Sequence, residues 1–135
     1  MSIYQMIYSG AYFFQDRVSA LEFEILMQET FPEQTCHLKE GSHSFTNYLI
    51  QSQNLDYVLI DMHILPSDAS YVFLNDFRHY APCIPYVVVG HEDLPAYYPF
   101  LSDIGISYFV QGPWTTNKLH QLFLALTDGA GRFIQ

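Results

Sequence analysis

The sequence predicts an α/β fold: a five-stranded parallel sheet in the order 2-1-3-4-5 with helices on both faces. The first observation is the apolar run at 57–60, which ends in the carboxylate of Asp61 and is followed by Pro66 and a helical stretch. The second is the run PYVVVG at 85–90, whose valines are typical of a parallel strand buried on both faces. Similar short runs alternate with helical spacing along the chain, as in βαβ units.

Composition limits the class of protein. A chain of 135 residues predicts one domain, which we assign to 1–127, with 128–135 as a C-terminal tail or the start of a linker. The formal charge of −9 argues against direct binding of nucleic acid. The chain has neither a signal-peptide pattern nor an apolar run long enough for a membrane span. Cys36 and Cys83 are far apart in sequence and form no CxxC motif. We therefore expect inert thiols in a reduced, cytoplasmic protein.

The first half of the chain predicts two strands and two helices. Residues 3–8, IYQMIY, form the first predicted strand, and Ser9 and Gly10 are expected to end it in a loop. Apolar positions over 16–29 recur at mostly helical spacing and predict the first helix. Residues 35–39 are a short candidate strand, and the turn and cap at 41–44 precede a helix that runs to about residue 51.

The second half predicts three strands and three helices. The third strand covers 57–61, and Ser67 caps a helix that stops before Pro82. The fourth strand covers 85–90. The helix over 94–104 contains Pro95 and Pro99 and is expected to be short or distorted. The fifth strand covers 107–110, and Thr115 or Thr116 caps a last amphipathic helix, whose apolar face contains Leu119, Leu122, Phe123 and Leu126.

Three passages in this order carry a family resemblance: LDYVLIDMHILP at 55–66, PYVVVG at 85–90 and DIGISYFVQGPW at 103–114. They resemble the third strand, the fourth strand and the fifth-strand passage of response-regulator receiver domains, the CheY-like family. The resemblance runs from residue 3 to about 126 and implies the doubly wound flavodoxin/CheY-like fold. The tail TDGAGRFIQ at 127–135 also resembles the segment that follows the receiver in regulators with a LuxR-type helix-turn-helix output.

The resemblance implies phosphorylation chemistry, and this chain departs from it. Asp61 is equivalent to the phosphoacceptor. Receivers bind Mg²⁺ with two acids after strand one, where the predicted strand leaves Ser9 and Gly10. The first acid after them, Asp16, is expected inside the first helix, away from this site. The comparison with the family therefore predicts a broken metal site, and we expect no cofactor and no metal.

Two further positions depart from the receiver pattern. The hydroxyl that receivers carry at the end of strand four falls on Gly90. The lysine after strand five falls on Gln111, or on Gly112 if the alignment follows Pro113. Tyr108 stands where receivers carry their switch aromatic. The sequence therefore indicates a pseudo-receiver, a non-enzymatic domain that acts in signalling or transcription regulation by protein–protein contact independent of phosphorylation.

Aromatic residues in the last third of the chain predict an interface. Tyr97, Tyr98, Tyr108 and Trp114 fall on the helix after strand four, on strand five and before the last helix, a face that receivers use for dimers and partners. We expect a homodimer through this face. The acids of the first helix lie on the opposite side and would repel a second copy: Glu22, Glu24 and Glu29.

Three alternatives stay open. Asp61 could accept a phosphoryl group with unconventional metal ligands such as Glu92 or Asp93. The vacated pocket at the sheet edge could bind a small ligand as a sensor. His63, His91 and Asp61 could form a zinc site, against which stands the simpler interpretation of exposed loop histidines.

Overall fold

The computed structural model describes residues 9–14, 17–32, 35–40, 55–61, 84–90, 94–103, 105–129 and 131–135. The elements in chain order are β1 (Ser9–Phe14), α1 (Arg17–Thr30), β2 (Thr35–Glu40), β3 (Tyr57–Asp61), β4 (Tyr86–Gly90), α2 (Leu94–Asp103), β5 (Tyr108–Gln111), α3 (Thr116–Asp128) and β6 (Arg132–Ile134). The predicted strand at 3–8 and the predicted helices at 44–51 and after Ser67 lie outside the described residues. None of the described helices is long and apolar enough to cross a membrane.

The strands form one sheet in the order β2-β1-β3-β4-β5-β6, and every neighbouring pair is parallel. This confirms the predicted α/β fold and the strand order 2-1-3-4-5, to which β6 adds a sixth strand. Because all strands are parallel, their carboxyl ends lie at one edge of the sheet, which we call the rim. The winding direction changes between β1 and β3, and the rim beside such a change is where open α/β sheets bind ligands.

Side chains of the central strands alternate between two hydrophobic clusters, one on each face of the sheet. Leu59 and Val87 point to the face covered by α1 and α3. Val58 and Val88 point to the other face, where Leu101 of α2 packs. Every residue of β3 and β4 is buried, because both faces are covered. This accounts for the continuous apolar runs in these two segments.

The position of the first strand differs from the prediction. The strand that pairs with β2 and β3 is Ser9–Phe14, so Ser9 and Gly10 lie inside a strand and do not form the loop after it. The glycine has a packing role there: a Cβ atom on Gly10 would overlap the phenol ring of Tyr57, its partner in the β1–β3 register. Gly10 was predicted to end a strand, but within the strand it leaves room for the large side chain of Tyr57.

The helices α1 and α3 pack on one face of the sheet. In α1 the buried residues are Ala20, Phe23 and Met27, a spacing of three and four residues that places them on one side. Three apolar residues of the spacing that predicted this helix are exposed: Val18, Leu21 and Ile25. In α3 the predicted apolar face is confirmed, because Leu119, Leu122, Phe123 and Leu126 are all buried.

The ends of α3 follow from local chemistry. Thr115 is the N-cap, and its hydroxyl accepts a hydrogen bond from the backbone N–H of Lys118 at 3.1 Å. Gly129 ends the helix with φ of 71°, a left-handed conformation that favours glycine. The helix α2 is continuous over ten residues although Pro99 lies inside it, so the expected distortion does not interrupt it.

The C-terminal segment is part of the sheet. Residues 128–135 were expected to be a tail or linker, but Arg132–Ile134 forms β6 along the edge of β5. The Arg132 N–H donates to the Ser107 carbonyl at 2.7 Å. Phe133 stacks on Phe109 with ring centroids 5.9 Å apart, and Ile134 is buried in the core. The short apolar run in the tail is therefore structural.

Candidate functional site

Asp61 is the last residue of β3 and lies at the rim. It pairs in register with Val89 of β4, and only 7 % of its surface is exposed. Among the described residues it is the one buried charged side chain. The predicted place of this carboxylate is confirmed: Asp61 ends a buried parallel strand and lies at the rim between two neighbouring strands.

Gly90 lies at the end of β4, the strand next to Asp61, and Gln111 lies at the end of β5, one strand further away. They are partners in the β4–β5 register, and the Gly112 N–H donates to the Gly90 carbonyl at 2.7 Å. Both residues predicted to replace the receiver hydroxyl and lysine are thus at the rim. Gly90 offers no side-chain hydroxyl, and Gln111 and Gly112 offer no cationic group.

Ser9 and Gly10 are not at the rim. They pair with Thr35 and Tyr57, at the amino ends of β2 and β3. Gly10 is level with Tyr57, four residues before Asp61, a separation of roughly 13 Å along a strand. Their assignment as the vacated acid positions was wrong, because β1 was placed one strand length too early.

The carboxyl end of β1 is Phe14, and the next residues in the sequence are Gln15 and Asp16. Both lie outside the described residues. The helix α1 is described from Arg17 onward, so the predicted place of Asp16 inside the helix stays a prediction. One acid therefore does follow the first strand in sequence, where the prediction left none.

Lys118 holds the segment after β5 in place. Its Nζ donates to the Gln111 carbonyl at 2.6 Å and to the Pro113 carbonyl at 3.0 Å. The first turn of α3 therefore brings the lysine back over the end of β5. The Gly112–Pro113 peptide bond in the same segment is cis. The sequence gives little sign of this contact, because Lys118 lies seven residues beyond Gln111.

A pocket of about 380 Å³ opens at the rim between α1 and the segment after β5. We call it the rim pocket. Its described lining comes from three places: the strand ends, one side of α1, and residues 112–114. These residues are Phe14, Ser19, Glu22, Phe23, Ile25, Leu26, Glu29, Asp61, Val89, Gly112, Pro113 and Trp114. A pocket near Asp61 was predicted from the sequence. The contribution of α1 to its lining was not.

Trp114 belongs to the wall of this pocket. Its ring packs on Phe23 of α1, with centroids 4.8 Å apart and planes tilted by 58°. The indole Nε1 is buried and has no hydrogen-bond partner among the described residues. Trp114 is therefore half-buried against the core, which does not fit its predicted role as an exposed interface anchor.

Tyr108 is also a core residue. It is 6 % exposed and belongs to the cluster beneath α1 and α3, because it lies on a strand covered on both faces. Because its side chain is buried within this chain, Tyr108 does not fit its predicted place in an interface. Tyr97 and Tyr98 lie on α2, and their side chains are outside the described structure, so their interface role stays a prediction.

Two tyrosine hydroxyls are buried beneath the site. The side chains of Tyr12 and Tyr57 are 0 % exposed, and neither hydroxyl has a hydrogen-bond partner among the described residues. Burial raises the pKa of the Tyr57 phenol well above its ordinary value, because the charged phenolate would be desolvated. The two rings meet edge to face with centroids 5.6 Å apart.

Several predicted candidates lie outside the described residues: His63, His91, Glu92, Asp93 and Cys83. Cys36 is in β2, but its side chain is not described. Over the described ranges, no group of three histidine, cysteine, aspartate or glutamate residues is placed to hold a metal ion.

Comparison with solved structures shows which fold this is. The chain superposes with a TM-score of 0.76 on a response regulator receiver domain protein from Clostridium thermocellum, at 13% identity over 91% of this chain and 96% of the other. It matches the N-terminal signal receiver domain of a two-component system response regulator from Bacteroides fragilis with a TM-score of 0.72, at 18% identity over 90% and 97% of the two chains.

A LuxR-family two-component response regulator from Aurantimonas sp. SI85-9A1 is similar with a TM-score of 0.76, at 14% identity over 95% of this chain and 89% of the other. In sequence, no protein-family model and no curated protein matches the chain. At these identities the likeness is one of fold, and the chain has the fold of response-regulator receiver domains.

Proposed function

We propose that this receiver-fold chain acts as a pseudo-receiver: a non-enzymatic domain in signalling or transcription regulation that works by protein–protein contact without phosphorylation. The observation that carries the proposal is the pair Gly90 and Gln111, register partners at the ends of β4 and β5. In receivers, the resemblance implies a hydroxyl and a lysine at these positions. Phosphoryl transfer depends on such preorganised donors and cations around the moving charge.

Lys118 does not replace the absent lysine. Its ammonium already donates to two backbone carbonyls, at 2.6 and 3.0 Å. To reach a phosphoryl group on Asp61 it would have to leave both carbonyls, which would then lose a charge-assisted donor. The contact fits a structural role, in which Lys118 fixes the segment that closes one side of the rim pocket.

The second candidate function is phosphorylation of Asp61 with a metal site that has one acid after β1 in place of two. One specific observation favours it: β1 ends at Phe14, so Asp16 follows that strand by two residues in the sequence. A carboxylate after β1 and Asp61 after β3 would supply two hard oxygen ligands, which is compatible with Mg²⁺. Gly90 and Gln111 would still not supply the hydroxyl and the cation that hold the phosphoryl oxygens in receivers.

Intact-mass measurement separates the two candidates. The protein is incubated with acetyl phosphate and Mg²⁺, beside Asp61→Asn and Asp16→Asn. We expect no species heavier by one phosphoryl group in any sample. A stoichiometric adduct on the wild type that is absent from Asp61→Asn would overturn the pseudo-receiver proposal. Its loss in Asp16→Asn as well would identify Asp16 as a ligand of the metal.

The partner proposal retains a homodimer through the face of α2, β5 and α3, now with Tyr97 and Tyr98 as its aromatic anchors. Removal of such an anchor from a desolvated interface typically costs about 2 kcal/mol, roughly thirtyfold in dissociation constant. Sedimentation of the wild type beside Tyr98→Ala, with Glu24→Ala on α1 as the control, tests this. A wild type that stays monomeric at high concentration, or a mass that changes only with Glu24→Ala, would reject this interface. Cytoplasmic location and a LuxR-type output stay predictions.

A further inference from the structure

The rim pocket has the size of a ligand site. Its volume of about 380 Å³ lies within the range of roughly 300–1,000 Å³ typical of small-molecule pockets. It is bounded by side chains from α1, from the ends of β1, β3 and β4, and from the segment after β5. Most of these elements are held by the sheet or by Lys118, so the pocket is largely preformed. Preformed pockets lose little free energy to ordering when they bind.

The walls are apolar and aromatic. Phe14, Leu26 and Val89 supply apolar surface, and the rings of Phe23 and Trp114 lie 4.8 Å apart in the same wall. Such a lining favours a ligand with an apolar body. Aromatic faces also attract cations through the ring quadrupole, most strongly when the cation is partly desolvated.

The charged side chains in the described lining of the pocket are all negative. Asp61 lies at the strand ends and is 7 % exposed, whereas Glu22 and Glu29 are exposed on α1. No lysine, arginine or histidine is among the described lining residues. An anionic ligand would meet three carboxylates there. A cation would meet three opposite charges and an aromatic wall in a chain whose formal charge is −9.

We propose that the rim pocket binds an organic cation: an ammonium or guanidinium group carried on an apolar body. The cationic group lies near Asp61 and Glu22, and the apolar body packs against Leu26 and Trp114. This site is independent of the proposed function, because it needs neither phosphorylation nor a dimer. The same chemistry can come from a free amine or from an arginine side chain of a partner protein.

Trp114 gives a direct readout of occupancy. It is the one tryptophan of the chain, it lines the pocket, and no described residue accepts a hydrogen bond from its Nε1. The indole packs on Phe23, and a ligand in contact with it changes its environment. The fluorescence of the protein consequently reports on this pocket.

The experiment titrates the full chain with 2-phenylethylammonium and follows Trp114 fluorescence and calorimetric heat, without Mg²⁺ or phosphodonor. The matched control is 3-phenylpropanoate, which has a similar body and the opposite charge. A second arm uses Nα-acetyl-arginine amide as a mimic of a partner's side chain. We expect saturable binding of the cations, weaker at high salt, and none of the anion. Tighter binding of the arginine derivative assigns the site to a partner, and tighter binding of the amine assigns it to a free ligand.

Three variants locate the binding. Asp61→Asn and Glu22→Gln should each raise the dissociation constant of the cation by about tenfold, because each variant loses one charge-assisted contact. Asp103→Asn, at an exposed position on α2 outside the described lining, should leave the affinity unchanged. Because Glu22 is exposed on α1, Glu22→Gln is informative even if Asp61→Asn fails to fold. The proposal is overturned if no cation saturates the signal, if 3-phenylpropanoate binds equally well, or if Asp103→Asn weakens binding as much as Glu22→Gln.

Discussion

Replacement of Gly10 by alanine should lower the free energy of unfolding by about 1–3 kcal/mol, the usual cost of an added methyl group in a packed core. Gly10 faces Tyr57 in the β1–β3 register, and a Cβ atom there would overlap the phenol ring. The ring has little room to move, because its side chain is 0 % exposed and packs edge-on against Phe123 at 5.6 Å. In a strand, alanine is otherwise favoured over glycine by roughly 0.5–1 kcal/mol.

Urea unfolding of Gly10→Ala, Tyr57→Val and the double variant measures this clash. Removal of the ring should relieve it, giving a coupling free energy of about 0.5–3 kcal/mol between the two sites. Gly129→Ala is the control: nothing lies within 4 Å of its Cβ position, so its cost comes from the left-handed φ of 71° and should not change with Tyr57→Val. A Gly10→Ala protein more stable than the wild type, or a coupling near zero, would show that Ser9–Phe14 is not the strand beside β3.

Three further predictions concern the core and the rim. Leu59→Ala should lower the free energy of unfolding by about 2–4 kcal/mol by leaving a cavity in a strand covered on both faces; a loss under about 1 kcal/mol in urea unfolding would contradict that burial. Lys118→Met should cost about 1–3 kcal/mol, because the carbonyls of Gln111 and Pro113 lose a charged donor; an unchanged midpoint would refute the contact. The pKa of the Tyr57 phenol is raised in the folded chain, so as pH rises the unfolded chain loses the phenol proton first. The free energy of unfolding should therefore fall as pH rises above about 10. In urea titrations at alkaline pH, Tyr57→Phe should show a shallower fall than the wild type.

The parts of the fold that sequence predicts well are those in which one pattern has one structural meaning. The run that ends at Asp61 and the run that ends at Gly90 are buried on both faces, so each is a continuous apolar string. The helix α3 has a capping threonine, an apolar stripe and a terminal glycine, and each of these signals is local.

The first strand could not be located in this way, because its identity depends on a neighbour. Residues 3–8 and 9–14 are both rich in β-forming side chains, and Gly10 suggested a break between them. Gly10 is instead required inside the strand by the ring of Tyr57, which lies far away in sequence. An error of one strand length then moved the predicted acid positions from the residues after Phe14 to Ser9 and Gly10.

The candidate site was predictable only where it lies on strand ends. Asp61, Gly90 and Gln111 follow their strands to the rim. The pocket wall could not be predicted, because it depends on which side of α1 faces the sheet, and the exposed apolar residues Val18 and Ile25 obscure that pattern. The aromatic cluster was misread because aromatic count alone does not separate Tyr108 in the core from a surface residue.

The central claim is that the rim beside Asp61 does not hold a phosphoryl group. Beryllofluoride with Mg²⁺ is a stable analogue of an aspartyl phosphate, and Trp114 lines the same pocket as Asp61. Titration of wild type and Asp61→Asn, followed by the fluorescence of Trp114, therefore tests the claim directly. The account predicts no saturable change in either protein. A saturable change in the wild type that is absent from Asp61→Asn would contradict it.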